Sequence, residues 1–154
     1  MSETRTLIIA FLDLTLFSVT STKVSDDAIA DTLDGWYELV GATVAPSGGR
    51  VIKVIGDGAL IVWDDGKHDD AVGAVVALKQ QADAWLAQRG WPCRVMAKVH
   101  VGPVRAGDFG PAGDKRFDVL GKNVNATAMM KSTGVAVSPE LRGKLSAATI
   151  AQLP

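Results

Sequence analysis

Two short apolar runs, Val51-Ile52-Lys53-Val54-Ile55 and Ala59-Leu60-Ile61-Val62-Trp63, are separated only by Gly56-Asp57-Gly58. So short a glycine-flanked connection leaves no length for a crossover, so the runs pair as an antiparallel hairpin with Asp57 at its tip. Taken alone, Gly-Asp-Gly reads first as an ordinary turn, because both residue types are common there. A second aspartate, Asp13, ends another apolar run, Leu7-Ile8-Ile9-Ala10-Phe11-Leu12. Two carboxylates held at strand ends can share a hard divalent cation, and such a cation commonly serves phosphate chemistry.

The flanking segments alternate strand and helix. Residues 6–13 are expected to form a buried strand. Ser25 to Val44 is expected to be helical, because Ile29, Leu33, Trp36 and Val40 fall on one helical face, with Ser25 or Asp26 as N-cap. Asp69 or Asp70 is expected to cap a second helix that runs to about Gln88, with Ala71, Val75, Leu78, Ala82 and Trp85 on its apolar face. Gly90 and Pro92 stop it. Cys93 to Val101 is expected to be a strand, Gly102-Pro103 a turn, and Val104 to Phe109 the returning strand. A glycine-containing loop (110–115) follows, then a short extended segment (117–120), a short helix (123–131), a last short strand (134–137) and a helical stretch (139–145). Two hairpins exclude a doubly wound parallel sheet. The expected fold class is α+β: a ferredoxin-like or palm-type sandwich with helices packed on a mostly antiparallel sheet, in one domain spanning 1–154.

The totals narrow the function classes. With 154 residues and 47 % apolar residues, the chain can bury a sizeable core. Sixteen basic and 17 acidic residues give a net charge of −1, which does not support a broad nucleic-acid-binding face. The one cysteine, Cys93, is expected to be a small buried apolar residue in a reducing compartment. The apolar run at 7–12 is too short for a membrane span or a signal-peptide core, so the expected location is cytoplasmic. Pro46-Ser47-Gly48-Gly49 lacks the Lys-Ser/Thr ending of a Walker loop. His100 is expected to be structural, since no second histidine lies at metal spacing. The four tryptophans, Trp36, Trp63, Trp85 and Trp91, are expected in the core or at a dimer interface.

Five segments in order resemble the catalytic domain of class III nucleotide cyclases, the adenylate and guanylate cyclase family. They are Phe11 to Ser18, Gly48 to Gly58, His100 to Gly110, Phe117 to Asn125 and Val135 to Ser138, and together they cover about residues 6–140. The resemblance implies a homodimer with two equivalent sites, each drawing on both subunits. It implies that Asp13 and Asp57, with the backbone carbonyl of Leu14, bind two Mg²⁺ or Mn²⁺ ions. The backbone around Thr15, Leu16, Phe17 and Ser18 would cradle phosphates. From the other subunit, Lys53 and Asp118 match the pair that selects adenine, which favours ATP over GTP, and Asn125 matches the residue that orients the ribose. Without the resemblance, Lys53 reads as an exposed strand lysine, Asp118 as a turn carboxylate and Asn125 as a helix-start asparagine.

The chain departs from the family pattern in three places. The family carries an arginine four residues after the asparagine, to stabilise charge on the α-phosphate, and here that position is Met129. Only Lys131-Ser132-Thr133 separates Met130 from Gly134, where relatives have a longer helix end, and Lys131 falls on a different helical face from residue 129. Relatives commonly add a terminal pair of strands carrying a lysine that touches the triphosphate, and no matching segment follows Leu145. The chain is therefore expected to be a reduced form of the domain or a piece of a longer one. Two readings stay open: an adenylate cyclase converting ATP to cyclic AMP and pyrophosphate, or a catalytically degenerate homology domain that binds nucleotide or dimerises as a regulatory module. A different phosphoryl enzyme, or an aspartate-phosphorylated receiver, is disfavoured by the hairpins.

Overall fold

The structure, a computed structural model, describes all 154 residues. Along the chain run β1 (Ser2–Leu14), α1 (Phe17–Ser21), α2 (Asp26–Val44), a 3₁₀ turn (Ala45–Ser47), β2 (Arg50–Ile55), β3 (Gly58–Asp64), α3 (His68–Gln88), β4 (Val95–Phe109), β5 (Arg116–Leu120), α4 (Lys122–Met129), β6 (Val135–Val137), α5 (Pro139–Arg142) and α6 (Ala147–Gln152). The sheet order is β2-β3-β1-β4-β5, and β6 pairs with β4. Every pairing is antiparallel except β4 with β6. The first four strands thus lie in the 4-1-3-2 order of a ferredoxin-like sandwich, and the α+β expectation holds. No helix is long and apolar enough to cross a membrane.

Alternation along β1 sorts its residues onto two faces. Ile8, Ala10, Leu12 and Leu14 enter a large core with Trp36, Val40 and Val44 of α2 and Ala71, Val75, Leu78 and Ala82 of α3. Leu7 and Ile9 enter a smaller core on the opposite face with Leu60, Val62, Val104, Val119 and Val124. Trp36, Trp63 and Trp91 are buried, as is Cys93. Trp85 is half-buried and lies against Gly35, beneath the guanidinium of Arg89.

Two local expectations fail. Gly102-Pro103 is not a turn: β4 runs unbroken through it and pairs with β1 from Val95 opposite Leu14 to Gly107 opposite Ser2. On its other side β4 pairs with β6 only at 97–99 and with β5 only at 105–109. Pro103 falls in the gap between them, where its missing N–H interrupts no ladder. Its carbonyl, which points to that gap, accepts from Asn123 Nδ2 at 2.9 Å. Nor does Asp69 or Asp70 cap α3. Lys67 holds that position without a side-chain cap, and Asp69 instead accepts from the amide of Ser146, tying α3 to the start of α6.

A β-bulge shapes the β2 edge of the sheet. Between Val51 and Lys53 the β2–β3 register shifts, leaving Ile52 without a partner. A bulge bends and twists its strand. The outer edge of β2 then reaches β5, the strand at the far end of the sheet order: Arg50 stacks its guanidinium 3.9 Å over Phe117, and Lys53 reaches Asp118.

The approach to β2 is equally tight. A Cβ on Gly49 would lie 2.4 Å from Val44 Cγ1 and 2.6 Å from Trp63 Nε1, whereas one on Gly41 meets nothing. Gly49→Ala should therefore destabilise the fold by about 1–3 kcal/mol, and Gly41→Ala, inside α2, should stabilise it by about 0.5–1 kcal/mol. Urea unfolding of the two variants checks this; equal midpoints would contradict the packing of Gly49 on Trp63.

Candidate active site

The β2–β3 hairpin turns on Gly56 and Asp57, with Ile55 opposite Gly58. Gly56 has φ +57 and Asp57 has no positive φ, so only the first central residue needs the left-handed region that glycine supplies. Two adjacent aromatics of α2 hold this tip from below. Trp36 Nε1–H donates to the Asp57 carbonyl at 3.0 Å, and the Tyr37 hydroxyl donates to the Gly56 carbonyl.

The Asp57 side chain is fixed from the other side. Its Oδ2 accepts from the Leu14 amide at 2.9 Å. The β1–β3 ladder ends at Leu12 opposite Ala59, so Asp57 takes the next amide that β1 offers on that side. A strand residue directs its N–H and C=O to the same side, so the Leu14 carbonyl faces the aspartate as well. Asp13, one residue earlier, points to the opposite face from Leu14.

The two carboxylates feel each other. Desolvation raises the pKa of Asp13, the charge of Asp57 raises it further, and Lys98 opposes both. Burial and the Asp57 charge also push the Tyr37 phenol up. A cavity of about 240 Å³ opens here, lined by Phe11, Leu12, Asp13, Gly58, Lys98 and Ala128. No group of three or more His, Cys, Asp or Glu side chains gathers anywhere in the chain. Two carboxylates plus a backbone carbonyl still suit Mg²⁺ or Mn²⁺, because such ions take one or two carboxylates and complete their shell with water and phosphate oxygens. A bound cation would offset the Asp57 charge that helps push the Asp13 carboxyl up.

After Asp13 the chain makes a strained reversal. Leu16 has φ 60, ψ 13, the left-handed region that a bulky residue seldom occupies, at a cost of roughly 1–3 kcal/mol. The Thr15 amide donates to the Arg94 carbonyl at 2.8 Å, and its hydroxyl accepts from the Arg94 amide at 2.9 Å. The amide of Thr15 is therefore committed within the fold. Leu16 and Ser18 are exposed, and Phe17 stacks on Trp91 with ring centroids 5.7 Å apart.

Lys53 and Asp118 come together within one chain, Nζ to Oδ2 at 2.9 Å. They border a separate cleft of about 480 Å³ with Ile52, Phe109 and Phe117. This cleft and the Asp13 cavity have different lining residues, and a smaller hollow of about 90 Å³ touches Lys53 on one side and Phe11 and Gly58 on the other.

Asn125 is exposed on α4. Met129, the last residue of that helix, is 81 % exposed. The helix stops there because Met130 is extended (φ −60, ψ 151), so Lys131 lies beyond it. Lys131 instead lines a cleft with His100, Ser138 and Glu140. His100 is structural, as expected: its Nε2 lies 2.9 Å from Asn123 Oδ1 and its Nδ1 2.7 Å from Ser138 Oγ. That pair of bonds fixes α4 and α5 against β4.

Sequence reasoning overlooked three contributors: Trp36, Tyr37 and Lys98. Trp36 and Tyr37 looked like an ordinary core face plus a neighbour. Lys98 carried a fainter signal, a charge within a strand segment whose inward residues are Val95, Ala97 and Val99.

The profile of the adenylate and guanylate cyclase catalytic domain matches residues 1–149. An adenylate cyclase of Anabaena cylindrica is 26 % identical over 138 residues, which is 84 % of this chain and 28 % of that protein. The chain thus spans little more than a quarter of that curated relative. The crystal structure of the adenylyl cyclase CyaB from P. aeruginosa superposes with a TM-score of 0.86 at 18 % identity, over 93 % of this chain and 81 % of that one. The guanylate cyclase domain of RhGC from Catenaria anguillulae, solved with GTP, gives 0.85 at 21 % identity, over 94 % and 85 %. At these identities the solved structures speak for the fold, while the profile spans nearly the whole length. The chain belongs to the family of adenylate and guanylate cyclase catalytic domains.

Proposed function

We propose that this chain is an adenylate cyclase domain that works as a homodimer, converting ATP to cyclic AMP and pyrophosphate. The observation that supports this reading is that Asp13 lines one cavity, with the Asp57 hairpin tip beside it, while the Lys53–Asp118 pair borders a second cleft whose lining residues are different. Two chains on a two-fold axis bring each half-site of one against the other half-site of its partner. Exposed apolar residues near both half-sites, Val54, Ile55, Leu120 and Met129, give such a dimer surface to bury.

In this reading Asp13, Asp57 and the Leu14 carbonyl hold two Mg²⁺ or Mn²⁺ ions, which supply Lewis-acid activation of the ribose hydroxyl and neutralise phosphate charge. The backbone at Leu16, Phe17 and Ser18 offers donors to the phosphates, and Thr15 contributes by shape because its amide is engaged. Asp118 accepts from the adenine amino group, and Lys53 donates to a ring nitrogen. Asn125 positions the ribose so that its 3′-oxygen lies in line with the α-phosphorus. A bond forms from the 3′-oxygen to that phosphorus, the bridging bond to the β-phosphate breaks, pyrophosphate departs with the electron pair, and the hydroxyl proton is lost to solvent. Met129 offers no hydrogen-bond donor at the family's arginine position. One missing donor of that kind typically costs about 10²–10³ in rate, so turnover is slow. Methionine in place of arginine at position 129 also favours a second reading, in which the domain only binds nucleotide or dimerises as a regulatory module.

Purified protein incubated with ATP and Mn²⁺ should yield cyclic AMP by chromatography, and Asp57→Ala should yield none. An undiminished rate in that variant would refute the metal assignment. The double change Lys53→Glu with Asp118→Ser should lower the preference for ATP over GTP by about tenfold or more; an unchanged preference would remove both residues from base reading. Met129→Arg should raise the turnover number by roughly tenfold or more. If both the parent and Met129→Arg are inactive, the regulatory-module reading replaces the enzyme.

A further inference from the structure

Lys98 has no role in the scheme above. It stands on β4 opposite Phe11 and diagonal to Asp13, on the same face as both. Its Nζ donates to the Ala128 carbonyl, in the last turn of α4, at 2.8 Å. Its side chain helps line the 240 Å³ cavity that Asp13 also lines, within the same chain. No other cation serves that cavity. Met96, directly across from Asp13, carries no charge, and the guanidinium of Arg94 is spent on the carbonyls of Trp91 and Cys93.

We propose that Lys98 is a phosphate-binding residue of the dicarboxylate site, whose ammonium leaves the Ala128 carbonyl for a terminal phosphate oxygen of the nucleotide. The assignment rests on the nucleotide cyclase reading of that site. A backbone carbonyl is a neutral acceptor, whereas a phosphate oxygen is charged, and charge-assisted hydrogen bonds are about twice as strong as neutral ones. The four-carbon stem lets the ammonium change partner without moving β4. Parked on Ala128, Lys98 stays on the face that carries Asp13, diagonal to it across the β1–β4 ladder. In the free protein it therefore holds positive charge beside the Asp13 carboxylate. Once phosphate enters, it offers that charge to the ligand.

The test is calorimetric binding of inorganic pyrophosphate with Mn²⁺ to the full chain, alongside the cyclic AMP assay. Lys98→Met should weaken pyrophosphate binding by about tenfold or more, while Lys98→Arg stays within about threefold of the parent. Lys98→Gln keeps a donor for the Ala128 carbonyl and loses the charge. It should unfold at the parent's midpoint and still show the tenfold loss, which separates a phosphate ligand from a helix-end cap. Unaltered pyrophosphate binding in Lys98→Gln overturns the proposal, and so does an absence of Mn²⁺–pyrophosphate binding by the parent protein. A parent that makes no cyclic AMP, with binding that still depends on the Lys98 charge, upholds the lysine assignment and rejects the enzyme.

Discussion

Asp57 is fixed by two elements outside its own hairpin at once. A two-residue hairpin turn has little of its own to fix a side chain. Here α2 grips the tip from below through Trp36 and Tyr37, and the Leu14 amide of β1 grips the carboxylate itself. Trp36 is fully buried, so the position of Asp57 is set by the packing of the main core rather than by the loop. The separation of the two aspartates then follows from the β1–β3 register, which ends one residue before Asp13. A core tryptophan thereby becomes part of the apparatus that positions a charge.

The opposite end of the site is fixed by polar contacts. His100 bridges Asn123 of α4 and Ser138, the N-cap of α5, and Asn123 also reaches the Pro103 carbonyl. These bonds close the gap left on β4 between β5 and β6, where backbone groups would otherwise lack partners. They also set the rotation of α4, turning Asn123 inward and leaving Asn125 and Met129 outward. Asn125 thus faces away from its own chain's core.

Local signals in the sequence carried much of this. The apolar spacing of α2 and α3, the hairpin at Gly56–Asp57 and the strand ending at Asp13 all followed from periodicity and turn chemistry. Gly102-Pro103 misled, because a turn signal was overridden by pairing with β1 along the whole of β4 and by a gap on the other edge that tolerates proline. The cap of α3 misled too, since Asp69 was drawn to the Ser146 amide far along the chain. The bulge at Ile52 had no local mark, yet it is what brings Lys53 to Asp118. Lys98 was invisible for a related reason: only the register of β4 against β1 reveals which strand lysine shares a face with Asp13.

Subunit complementation tests the central claim, a site shared between two chains, most directly. Asp57→Ala spoils one half-site and Asn125→Ala the other, and each variant alone should be inactive. Mixed after mild dissociation, they form heterodimers in which one composite site is intact and the other doubly impaired. The account predicts recovery to about a quarter of the parent's specific activity, since half the dimers are mixed and each carries one of two sites. No recovery in a mixture proven to contain heterodimers would place the whole site within a single chain and contradict the account.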